Sequence, residues 1–166
     1  LAIGEAAAMT KDASALLSAQ RAINYTQRIQ HPSTGGWRYT EGDPGDLSQL
    51  GWQAMVLDAG HRRIPDSGEV AFALARLLAA CPEAEVRDGE RALELAQTIY
   101  AARPDPRHAQ LVAQALAELD RCEEAADWQQ RVVDAALADG ATEVLPALRA
   151  DLDHYLRGPP CRMPTE

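Results

Sequence analysis

The sequence predicts an all-α protein: about seven helices paired into antiparallel hairpins and stacked as a short α-solenoid. Three observations lead there. Aromatic residues make up only 5% of the chain, and Ala and Leu supply most of its apolar mass. Such residues favour close helix packing over sheets, which draw on β-branched and aromatic side chains. Apolar residues also recur at threes and fours through seven stretches, and no alternating pattern competes with them. Finally, two helical hairpins share small residues at matched points, with Ala92 and Ala125 separated by 33 positions (125 minus 92).

The first helix is expected over Asp12 to Gln30, where Leu16, Ala19, Ala22, Ile23, Thr26 and Ile29 form one stripe and Asp12 serves as N-cap. The stretch HPSTGGWRYTEGDPGD then carries too many Gly and Pro residues for a helix interior and reads as a long, structured loop. A second helix runs from about Leu47 to Ala59, with Asp46 as N-cap and Gly60 as its end. HRRIPDSG marks the expected boundary, giving an N-terminal unit over 1–64 and a second over 65–158. Glu69 to Ala80 is strongly apolar and stops at Cys81-Pro82, and Asp88 to Ala102 follows, closed by Pro104 and Pro106. Arg107 to Leu119 and Glu123 to Ala138 pair across a turn at Asp120-Arg121. Thr142 to Arg157 is the last helix, and residues 159–166 are expected to form a flexible tail.

In the first of the two hairpins, Leu74, Ala75 and Leu78 lie in the leading helix and Ala92, Ala96 and Ile99 in the returning one. The second places Val112, Ala113 and Leu116, then Ala125, Gln129 and Val132, at the same points. Small residues there let paired helices approach closely while larger ones fill between hairpins. Over about residues 69–139 this pattern resembles the tetratricopeptide-repeat family, whose period is about 34 residues. LARLLAACPEAEVRDGERALELAQTIYAA looks like the variant with a lengthened first turn, and residues 142–157 look like the capping helix of such arrays. Gln129 and Ala96 depart from the pattern, standing where a larger side chain is often found, so Trp128 and Tyr100 are expected to fill the space. Two hairpins also fall short of the three or so repeats an independent array needs, so the N-terminal helices are expected to complete the stack.

The segment TGGWRYTEGDPGDLSQLGWQAMVLDAG, within about residues 12–60, resembles a repeat of the prenyltransferase and squalene-cyclase superfamily. Gly35-Gly36 permit a tight backbone reversal, and Trp37 and Trp52 are suited to pack the loop on the helix that follows. The cyclases' DxDD motif is missing. On the alignment to protein prenyltransferases, Asp46 matches the zinc-binding Asp, but Ser48 stands where the Cys ligand belongs. A hydroxyl is a poor zinc ligand beside a thiolate. The resemblance therefore implies the fold of a repeat and not its catalysis.

Net charge is −9, from 25 acidic and 16 basic residues. Nucleic-acid binding is not expected, because phosphate neutralisation needs clustered Lys and Arg and the chain has the single Lys11. The Arg- and Ala-rich usage suggests a bacterial origin. No apolar run approaches the ~18 residues of a membrane span, so no membrane partner is expected. LAIGEAAAMTKDAS lacks the basic and apolar regions of a signal peptide, and it begins at Leu1 rather than Met, so residues upstream are open. Cys81, Cys122 and Cys161 are read as buried or incidental thiols of a reducing compartment, which gives a cytoplasmic expectation. His108 and His154 are read as surface residues. No nucleophile elbow, P-loop or dinucleotide fingerprint is present.

Two functions follow as expectations. The first is a protein- or peptide-binding module with no cofactor. By the repeat resemblance, Glu69, Phe72, Arg76, Arg107, Gln110, Gln114 and Glu118 would line a concave face formed by the leading helices. The second is a small hydrolase. His31, Asp43, Asp46 and His61 lie at the ends of the first two helices or in the loop between them, and imidazole and carboxylate converging there could activate water. In its metal-dependent form, His31, Asp46 and His61 would hold a divalent ion such as zinc. Ala-rich helix faces also leave a homo-oligomer open.

Overall fold

The structure is a computed structural model that describes residues 13–28 and 47–162. Seven helices and no strand are present among the described residues. They are α1 (Ala13–Arg28), α2 (Leu47–Arg63), α3 (Gly68–Ala80), α4 (Gly89–Ala102), α5 (Pro106–Glu118), α6 (Cys122–Ala138) and α7 (Leu145–Leu156). Successive helices from α2 onward pack as neighbours, and α3 also packs on α5. That is the all-α stack of hairpins expected from the sequence. None of these helices is long and apolar enough to cross a membrane.

Helix α3 is the centre of the stack. Eight of its residues are buried, from Val70 to Ala79, so most of its circumference must be covered, and the stripe of Glu69, Phe72, Arg76 and Ala80 is less enclosed. Helices α2, α4 and α5 provide that cover. Its start is set by Ser67, whose Oγ accepts a hydrogen bond from the Val70 N–H at 3.4 Å. Helices α4 and α5 are capped in the same way: Asp88 Oδ1 accepts from the Arg91 N–H at 3.0 Å and Asp105 Oδ1 from the Arg107 N–H at 2.9 Å.

The small residues do what the sequence implied. Ala75, Ala92, Ala96, Ala113 and Ala125 are all completely buried at helix contacts in one core. Leu57 of α2 belongs to that same core, so the expected boundary near residue 64 is not a gap in packing. Tyr100 and Trp128 meet edge to face with centroids 4.8 Å apart and pack against the core to which Ala96 belongs. Gln129 is fully buried, and its Nε2 donates to the Leu148 carbonyl at 3.0 Å, tying α6 to α7.

Several local expectations are corrected. Gly60 does not end α2; the helix runs on to Arg63, and Gly60 is a close neighbour of Val70 on α3. Pro106 does not close α4 but opens α5 at its first position, where the missing N–H costs nothing. Thr142 to Val144 form a turn ahead of α7 rather than its first residues.

The tail and the cysteines are the larger corrections. Cys122 and Cys161 form a disulfide with Cα atoms 5.7 Å apart, so they are not incidental thiols. Only Cys81 is a free, buried thiol. Residues 158–162 are consequently not a loose end. Cys161 is completely buried in the main core, its N–H donates to Asp120 Oδ1 at 3.2 Å, and the Arg162 carbonyl lies 3.1 Å from His154 Nε2.

Candidate functional site

Helices α3, α5 and α7 alternate with their return partners, and side-chain contacts join them in sequence, α3 to α5 through Phe72 and His108 and α5 to α7 through Gln110 and Asp151. On α3, Phe72 is half-buried and its ring meets that of His108 on α5, centroids 5.5 Å apart. Arg76, one turn further along α3, holds its guanidinium 5.9 Å from the centre of the Phe72 ring. Burial lowers the Arg76 pKa to about 10, because a low-dielectric setting disfavours the charged form. His108 is fixed through Nδ1, 2.8 Å from the Arg103 carbonyl at the end of α4.

The face continues onto α7. Gln110 Nε2 donates to Asp151 Oδ2 at 3.4 Å, joining the middle of α5 to α7. Burial pushes the Asp151 carboxyl above the usual carboxylate range, and the Gln110 hydrogen bond and the nearby His154 oppose that in part. The face thus carries an aromatic ring, a half-buried cation, amides and a half-buried carboxyl in sequence from α3 to α7.

Of the seven residues expected to line it, Phe72 and Arg76 are brought together, and Gln110 and Gln114 are half-buried on α5. Glu69 is exposed in the first turn of α3. Arg107 is exposed, with Nε 3.4 Å from Asp105 Oδ1. Glu118 is corrected: it is no free groove residue. Its Oε1 accepts from Arg87 Nε at 2.7 Å, and its Oε2 lies 3.9 Å from Arg162 Nε. Arg87 also donates through Nη1 to the carbonyls of Cys81 and Pro82, so this carboxylate anchors the α3–α4 connection to the end of α5.

Sequence reasoning passed over His108 and Asp151. His108, expected at the surface, is half-buried against Phe72. The signal that could have found it is register, since Phe72 and His108 both fall near the starts of leading helices. Asp151 on the expected capping helix carried no comparable signal.

The alternative site is described in one member only. His31, Asp43 and Asp46 lie outside the described residues. His61 is half-buried in the last turn of α2, and its Nδ1 is buried without a hydrogen-bond partner. Among the described residues, the one cluster of three such donor residues is elsewhere: Asp120, Cys122 and Cys161, whose donor atoms lie within 4.8 Å of one another with the two sulfurs joined as a disulfide.

Comparison with protein-family models, with curated proteins and with solved structures found no match to this chain.

Proposed function

We propose that the chain is a peptide- or protein-binding module of tetratricopeptide-like type, and that the face built by α3, α5 and α7 takes an extended segment of the partner. The observation that carries the proposal is the half-buried run from Phe72 and Arg76 through Gln110 to Asp151. Rigid helices hold these groups at fixed spacing, so little ordering cost falls on the scaffold when a segment binds. The aromatic ring offers apolar area, the guanidinium and carboxyl offer opposite charges, and the amides of Gln110 and Gln114 suit a peptide backbone. No cofactor is needed for this role. A cytoplasmic setting belongs to the same proposal, and there Cys122 and Cys161 would spend part of their time as thiols.

The test is selection of peptides from a displayed random library against the purified protein. Selected peptides should lose at least about tenfold in affinity to Phe72→Ala or Arg76→Glu, the scale of a residue worth more than 1 kcal/mol at an interface. Trp128→Ala, on the return helix α6, should leave affinity intact. A library yielding no binder, or binders indifferent to the α3 variants, removes the reading.

A further inference from the structure

The turn between α5 and α6 brings together three groups that the binding face does not use. Asp120 is an exposed residue held in left-handed backbone geometry, with φ 54°. Cys122 is the first residue of α6, and Cys161 comes in from the chain beyond α7. The Asp120 carboxylate is held at the pair because Oδ1 accepts the Cys161 N–H at 3.2 Å. In this state the two sulfurs are bonded to each other, and each faces a backbone carbonyl: Cys122 Sγ is 3.4 Å from that of Asp120 and Cys161 Sγ 3.8 Å from that of Ala117.

We propose that this corner has a second state, in which the reduced pair and Asp120 bind one thiophilic divalent cation of the zinc class. Two thiolates and one carboxylate make a familiar donor set for such an ion, with the remaining tetrahedral position left to water. The geometry allows the change. Thiolates each about 2.3 Å from a tetrahedral ion lie about 3.8 Å apart, and side-chain rotation reaches that separation from Cα atoms 5.7 Å apart. Asp120 already lies at the exposed edge of the pair, which gives the ion its entry path. At the first position of a 17-residue helix, the Cys122 thiolate also sits where backbone N–H groups favour negative charge.

The chemistry balances with a dithiol as the reductant. Its thiolate attacks one sulfur of the Cys122–Cys161 bond, the mixed disulfide is resolved by its second thiol, and the reductant leaves as a cyclic disulfide. The two electrons and two protons it gives up end on the two chain sulfurs as S–H. The cation then replaces both protons, which pass to solvent, and forms two metal–sulfur bonds and one bond to the Asp120 carboxylate. Reoxidation by a low-molecular-weight disulfide, which takes up the two electrons and two protons and leaves as two thiols, re-forms the Cys122–Cys161 bond and expels the ion. Oxidised and metal-bound forms therefore exclude one another, and either one pins residues 158–162 to the start of α6.

The experiment uses the full chain, reduced with dithiothreitol and desalted without oxygen, against the untreated oxidised chain. Zinc is titrated in competition with a chromophoric chelator, and cobalt(II) is titrated separately for its thiolate charge-transfer absorption. One equivalent should bind the reduced chain, with sulfur-to-cobalt bands, and none should bind the oxidised chain. Cys122→Ser and Cys161→Ser should each abolish the bands. Asp120→Asn keeps the disulfide and the fold, and it should weaken zinc binding in the reduced state by at least about tenfold. Failure of the reduced chain to bind either metal makes the pair a simple disulfide and overturns the proposal. Equal binding to both redox forms, or binding unmoved by Asp120→Asn, places the ion elsewhere and overturns it too.

Discussion

Asp151 and Asp105 are two carboxylates whose surroundings push them in opposite directions, and each carries a pH prediction. Burial raises the Asp151 pKa in the folded chain, so the folded state holds its proton more tightly than the unfolded one. The stability it contributes is full below the unfolded value of about 3.9 and is lost as pH rises through the folded value. At neutral pH the ionised group is a burden, so Asp151→Asn, which still accepts from Gln110, should be more stable than the wild type. Chemical denaturation at pH 7 and pH 3 should show that advantage at the first and its disappearance at the second; a less stable variant at pH 7 refutes it. Asp105 behaves in the opposite sense. The Arg107 N–H holds its carboxyl below the usual range, so its contribution is present above about pH 3.9 and fades as pH falls through the folded value. Asp105→Ala should therefore cost about 1 kcal/mol at pH 7, the usual worth of such a cap, and less in acid. The Asp151 effect was not legible in the sequence, since it depends on α5 and α7 meeting at Gln110 and Asp151. Asp105 was legible in principle, because Asp before Pro at a helix start is a local signal. The cysteines show the limit of local reading: Cys122 and Cys161 are 39 positions apart, and no spacing rule reports that the chain returns to that corner.

At the scale of the element, most helices were legible because a single core face imposes its period on the sequence. Val70 to Ala79 could hardly be anything but a buried helix. Helix ends were less legible, since Gly and Pro each have two uses. Gly60 resembles a stop but lies inside α2, where α3 approaches closely and Val70 Cγ1 would be 3.5 Å from an added Cβ. Pro106 resembles a stop for α4 but is the first residue of α5. Gly89 tests the same idea from the other side. It is buried in the first turn of α4, and a Cβ there would fall 2.8 Å from Leu119 Cδ2 and 2.9 Å from Leu119 Cγ. Helix propensity favours Gly89→Ala by up to about 1 kcal/mol in a helix interior, and by less at this terminal position. Overpacking at a contact that includes a branched carbon costs about 1–3 kcal/mol, so the contact wins. The variant should lose stability by about 1 kcal/mol in urea denaturation. A gain would mean that Leu119, only partly buried, yields its place freely.

At the scale of the whole molecule, the largest single restraint is the closure of the chain from Cys122 to Cys161. The stretch it closes contains the rest of α6 and all of α7, the two helices joined by the Gln129 hydrogen bond and a small core of Val133, Ala136 and Leu145. Beyond Tyr155 and Leu152, which reach the main core, α7 rests on this small second core, so it depends on the closure more than α3 or α5 does. A loop of 39 residues restricts the unfolded chain by about 4 kcal/mol on the chain-entropy account, against about 1 kcal/mol for a single hydrogen bond such as that of Gln129. Reduction, or Cys122→Ser with Cys161→Ser, should therefore lower stability by about 2–4 kcal/mol, with α7 losing hydrogen-exchange protection before α3. Metal binding adds a condition that separates two origins of this loss. Zinc added to the reduced wild type should restore much of the stability and the protection of α7, because an ion bound only by the folded chain acts through mass action. The double serine variant should gain nothing from zinc. Recovery in both would assign the effect to an ion bound elsewhere, while recovery in neither would mean that no ion takes the place of the covalent bond in fastening residues 158–162 to the bundle.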